Sequence, residues 1–114
     1  MRFIKRFNES DFGDEVISHF AFLTDLGFHI FKPFLGRYVI HKLTYDKDGG
    51  YRIVHFKIGV IKEEILPIMN FFKISKIHLS SYYNEFDGEG KSISIEDFEN
   101  LDDDVLINRI FFDL

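Results

Sequence analysis

The chain contains no cysteine. Disulfides, thiolate zinc sites and a thiol nucleophile are therefore excluded. It also has no tryptophan and only two prolines in 114 residues. No apolar run approaches the roughly 18 residues that a membrane span needs. The opening MRFIKRFNESDF is basic but lacks a continuous apolar stretch, so no secretory signal is expected there. These absences point to a cytoplasmic protein without membrane contact.

What the chain has in quantity is apolar and aromatic residues. It is 46% hydrophobic with 15 Phe, enough for a packed core in a single domain over 1–114. Net charge is −5 and is unevenly spread. Asn84–Asp104 holds nine acids and one lysine, a net −8, which leaves +3 for the rest. Nucleic acid is a poor partner for this balance, and an acidic patch suited to a basic protein is the leading functional signal. Its candidate partner-binding residues are Asp87, Glu89, Glu96, Asp97, Glu99, Asp102, Asp103 and Asp104.

The pattern from Arg37 to Ile61 predicts a β-hairpin around Asp46-Lys47-Asp48-Gly49-Gly50. A two-residue turn at Asp48-Gly49 pairs Leu43 with Val54 and His41 with Phe56. Val39, His41, Leu43, Val54, Phe56 and Ile58 then share the core face. Tyr38, Ile40 and Ile53 fall on the other face, where a dimer surface is conceivable, so a monomer or weak dimer is expected.

Ser10 or Asp11 is placed to cap a helix over about Asp11–Leu26. Phe12, Val16, Phe20 and Leu23 form its stripe, and Gly27 ends it. Phe28–Leu35 predicts an edge or bulged strand, because Pro33 has no amide to donate. Val60–Phe72, interrupted by Pro67, suggests a loop with one irregular helical turn. Lys73–Tyr83 is strand-like, and Asn84–Ser92 is a polar loop. Ser94 opens a capping pattern before Phe98 and Leu101, which predicts a C-terminal helical segment. The resulting fold class is α+β: an N-terminal helix on an antiparallel sheet of about four strands.

Catalytic and metal motifs fail on spacing. His41 and His55 share a face only if the turn has three residues, and no HxH or HxxxH occurs. Phe86–Ser92 matches neither a phosphate loop nor a calcium loop, because the required glycines are missing. Clustered solvated carboxylates keep ordinary pKa values and suit acid–base catalysis poorly. No cofactor, metal site or enzymatic activity is expected.

The segment Phe20-Ala21-Phe22-Leu23-Thr24-Asp25-Leu26-Gly27-Phe28, followed by strands, resembles small immunity proteins of bacterial polymorphic toxin systems. The resemblance covers about Phe12–Ile61. It implies a cytoplasmic, non-catalytic inhibitor that binds one toxin, and it assigns no catalytic residues; the acidic segment adds the expectation of a basic toxin domain. The alternative from the residues themselves is a small-ligand or enzymatic pocket between helix and sheet near His41, Tyr45 and Arg52.

Overall fold

The computed structural model describes residues 14–80 and 91–114. Within them lie eight strands, in two sheets, and three α-helices. The strands are β1 (Phe28–Phe34), β2 (Arg37–Tyr45), β3 (Tyr51–Val54), β4 (Phe56–Lys57), β5 (Lys76–Ser80), β6 (Lys91–Ser94), β7 (Leu106–Ile107) and β8 (Arg109–Asp113). The helices are α1 (Glu15–His19), α2 (Lys62–Phe71) and α3 (Ile95–Glu99). A 3-10 helix over Ala21–Leu26 continues α1. The main sheet is antiparallel, in the order β1-β2-β8-β5-β6, with β3 also beside β2. A second, two-stranded sheet pairs β4 with β7. The α+β class stands, with six strands in the main sheet where about four were expected.

The N-terminal helix is shorter than its pattern suggested. Asp14 caps it, accepting from the Val16 and Ile17 amides at 2.9 and 3.1 Å. The other candidate caps, and Phe12, lie outside the described residues. Val16, Phe20 and Leu23 are buried as the stripe implied, and Gly27 closes the helical stretch at φ +88°. Pro33 sits where the β1–β2 register shifts, on an edge strand, as its missing amide demands.

The hairpin register differs from the expected one. Asp46 pairs with Gly50 across a three-residue loop, and Gly49 alone there takes positive φ, at +85°. A two-residue type I′ turn needs positive φ at both positions, and Asp48 does not supply it. Leu43 therefore faces Ile53, and Lys42 faces Val54. A one-residue slip moves side chains to the opposite face. The core face of β2 is Tyr38 and Ile40, not Val39, His41 and Leu43. Tyr38 and Ile40 are 6% and 0% exposed, so they form no dimer surface.

The hairpin also ends early. Past Val54 the chain leaves β2, breaks at His55 and pairs with β7. Arg37–His41 pairs instead with β8. The C-terminal residues thus form a central strand beyond α3, the helical segment that the Ser94 capping pattern predicted. Ile110 and Phe112 are fully buried, and Phe112 packs on Phe20 and Tyr38 with ring centroids 5.7 and 5.5 Å apart.

A regular helix, α2, replaces the irregular turn expected around Pro67. Ile65 and Met69 are fully buried on one side, while Pro67 is exposed. The carbonyl left without an amide partner by the proline is thus at the watery side, and burial of the opposite stripe holds the helix together. No helix among the described residues is long and apolar enough to cross a membrane.

Candidate functional site

Two surfaces carry the polar chemistry. The first is an acidic ledge running from α3 to β7. Ser94 Oγ accepts from the Asp97 amide at 3.0 Å and starts α3, as its capping pattern implied. Phe98 is fully buried and pins the short helix to the core. Glu96, Asp97 and Glu99 are left on the exposed side.

The following loop is tied down rather than free. Asp102 accepts from the Asp104 amide at 2.8 Å in an Asx-type turn. Lys62, buried at the start of α2, donates to the Leu101 carbonyl at 2.6 Å and to Asp103 at 2.9 Å. Lys57 meets Asp104 at 3.4 Å. Gly59 donates its amide to the Asp103 carbonyl at 2.9 Å, and a Cβ on Gly59 would stand 2.5 Å from that of Asp103. The eight expected partner-binding acids therefore divide into three groups. Asp103 and Asp104 anchor the ledge. Glu96, Asp97, Glu99 and Asp102 are exposed and make no ion pair among the described residues. Asp87 and Glu89 lie outside the described residues.

The second surface is the sheet face turned away from the helices. Strand alternation places His29, His41, Arg109 and Ser80 in one row across β1, β2, β8 and β5. The next row holds Phe31, Val39, Phe111 and His78. His78 stacks on Phe111 at 5.0 Å, and Arg37 lies over the same ring while pairing with Asp113 at 2.6 and 2.9 Å. At the β3 end of this face is a hollow of about 440 Å³, lined by His29, Phe31, His41, Leu43, Tyr45 and Tyr51.

His41 is the buried polar group of that hollow, at 7% exposure. Its Nε2 is 3.4 Å from His29 Nδ1, and Phe31 lies against its ring at 4.9 Å. Its Nδ1 is buried and has no hydrogen-bond partner among the described residues. Burial, together with the charges of His29 and Arg109, pushes the His41 imidazole down to about 4. It is therefore neutral at pH 7.

His41 thus lies away from the helices, not opposite Phe56 on the core face. The turn does have three residues, yet His55 falls in the break between β3 and β4, and the partner of His41 is His29. Of the trio His41, Tyr45 and Arg52, the first two line the hollow. Arg52 pairs with Thr44 and is exposed on the other parity. Phe56 and Ile58, on the face that the alternative pocket between helix and sheet would use, are buried. His29, Phe31 and Tyr51 were not anticipated as site residues. The alternation His29-Ile30-Phe31 was a signal, but it needed a strand partner to acquire meaning. No protein-family model matches the chain, and no curated protein or solved structure does either.

Proposed function

We propose that this chain is a non-catalytic protein-binding module whose acidic ledge docks on a basic surface of a partner protein. The observation that carries this reading is the division of labour among the acids. Asp103 and Asp104 hold the ledge to Lys62 and Lys57, while Glu96, Asp97, Glu99 and Asp102 present charge that no described residue neutralises. A fixed acidic patch speeds encounter with a basic partner and selects its orientation. An immunity-type inhibitor of one toxin is the form of this function that the sequence resemblance implies, and the acidic ledge makes a basic toxin domain the fitting partner.

The test begins with affinity capture at low and high salt, followed by binding kinetics on the captured partner. Charge reversal belongs at Glu96→Lys, Asp97→Lys and Glu99→Lys, because changing Asp103 or Asp104 would also disturb the fold. The triple variant should associate at least about tenfold more slowly, with the difference shrinking as salt rises. Unchanged kinetics in a correctly folded variant would remove the ledge from the interface.

A further inference from the structure

We propose that His29 and His41 form a metal site, in which their facing imidazole nitrogens chelate one divalent transition-metal ion of the Zn²⁺ and Cu²⁺ class. The pair exists only through the fold. The two residues are twelve apart in sequence and directly opposed in the β1–β2 ladder. Side chains opposed in this way share a sheet face, with Cβ atoms about 4.5–5.5 Å apart.

The separation of the nitrogens carries the proposal. His29 Nδ1 and His41 Nε2 stand 3.4 Å apart. A hydrogen bond donated by N–H is usually about 2.7–3.2 Å long, so the contact is a poor hydrogen bond. Two nitrogens bonded at about 2.0–2.1 Å to one tetrahedral ion stand about 3.3–3.4 Å apart. The ring centroids are 5.5 Å apart, so the nitrogens meet edge to edge between the rings rather than ring over ring. Coordination through Nε2 leaves His41 Nδ1 as it stands, buried and without a partner among the described residues, and so adds no cost there.

The strands hold this spacing ready. Ile30 and Ile40, the next opposed pair in the ladder, are 9% and 0% exposed and anchor the two strands in the core. Phe31 braces both imidazoles, stacking on His29 at 5.4 Å and lying against His41 at 4.9 Å. His29 is exposed, which gives an ion a way in. Both histidines line the hollow of about 440 Å³, which has room for water on the ion's other positions.

The ligand type selects the ion. Neutral imidazole suits Zn²⁺, Cu²⁺ and Ni²⁺, whereas Mg²⁺ and Ca²⁺ take oxygen ligands. Among the described residues no third His, Cys, Asp or Glu joins the pair. Two imidazoles and water make a moderate binder, weaker than a closed structural zinc site.

The test is titration of zinc chloride into the untagged, metal-free full chain near neutral pH, followed by NMR of the histidine ring protons. Saturable shifts should appear at His29 and His41 below millimolar zinc. Calorimetry should find Cu²⁺ at least about tenfold tighter than Zn²⁺, and Mg²⁺ should move neither histidine. His29→Ala, at an exposed position, should keep the metal-free Tm and weaken Zn²⁺ binding at least about tenfold. His19→Ala, remote from the pair, should leave binding unchanged. So should reversal of Glu96, Asp97 and Glu99, which separates this site from the ledge. The proposal is overturned if no saturable shift appears at the pair below millimolar zinc. Unchanged affinity in His29→Ala, or an equal response to Mg²⁺, also overturns it.

Discussion

The Asp14 carboxylate accepts a hydrogen bond from the Tyr38 hydroxyl at 2.9 Å, tying the first helical turn to the central strand. The same oxygen meets Lys32 Nζ at 2.9 Å, while its other oxygen caps α1. The Asp14 side chain is only 6% exposed. Burial acts to raise its pKa, but hydrogen bonds from Lys32, the Ile17 amide and Tyr38 outweigh it, and the carboxyl lies below the ordinary range.

Replacing Asp14 with Ala removes the cap and leaves a half-buried lysine and a buried hydroxyl without their partner. The expected loss is about 2–4 kcal/mol in urea unfolding. Tyr38→Phe, which deletes one hydrogen bond, should cost about 1 kcal/mol. Similar losses for the two variants would show that the cap and the Lys32 pair add little beyond the Tyr38 hydrogen bond.

His41 makes stability depend on pH. Its folded pKa, about 4, lies below its ordinary 6.5, so the unfolded chain binds the proton more readily between these values. Stability should be full above pH 6.5 and fall as pH drops towards 4, by up to about 3 kcal/mol. Asp14 has its own depressed pKa, so its contribution is lost only below the ordinary carboxylate range and falls outside this window. Urea midpoints from pH 7 to 4 test this. A His41→Leu variant should flatten that slope, and an unchanged slope would assign it to other groups.

Gly59 approaches the ledge more closely than any other residue type allows. A Cβ there meets Asp103 Cβ at 2.5 Å and its carbonyl oxygen at 2.9 Å. Gly59→Ala should cost about 1–3 kcal/mol through displaced backbone. It should also shift the NMR signals of Asp102–Asp104. A stability within error of the parent would mean that the loop yields freely and is not a fixed ledge.

Asn108 is fully buried between β7 and β8, and among the described residues neither its side-chain nitrogen nor its oxygen has a partner. Leucine has nearly the same shape without the polar atoms. Asn108→Leu should therefore stabilise the fold by about 1–2 kcal/mol, seen as a higher urea midpoint. Destabilisation would show that the amide is satisfied in solution.

Local chemistry was legible in the sequence where one residue type has few alternatives. Pro33 marked an edge strand, Gly27 a helix end and Ser94 a helix start. The hairpin itself was equally plain, but not its register. Loops at Asp48-Gly49 and at Lys47-Asp48-Gly49 differ by one residue, and local preference separates them poorly. The register is consistent with a contact remote in sequence: Ile110 and Phe112 line up beside Ile40 and Tyr38, and burying all four on one face leaves His41 on the other. Pro67 misled because its penalty is local, while the burial of Ile65 and Met69 that outweighs it is tertiary. The ledge acids were visible as a charge run, but Lys62 and Lys57, which divide them into anchors and free charges, come from a distant segment. The hollow was half visible for a related reason. His29 meets His41 only across the β1–β2 ladder, which neither spacing along the chain nor the turn after Tyr45 reveals.

Two chain segments, 51–57 and 106–113, each contribute to both sheets, with one break apiece at His55 and Asn108. Each is a shared seam. Peeling β4 from β7 pulls on the strands that β2 needs for its second edge, and stripping β8 from β2 loosens the small sheet in turn. Such cross-stitching ties the melting of the small sheet to that of the β2–β8 centre of the main one. Amide protons of Phe56, Ile107 and Ile110 should therefore exchange through one common opening event, at the rate set by global unfolding.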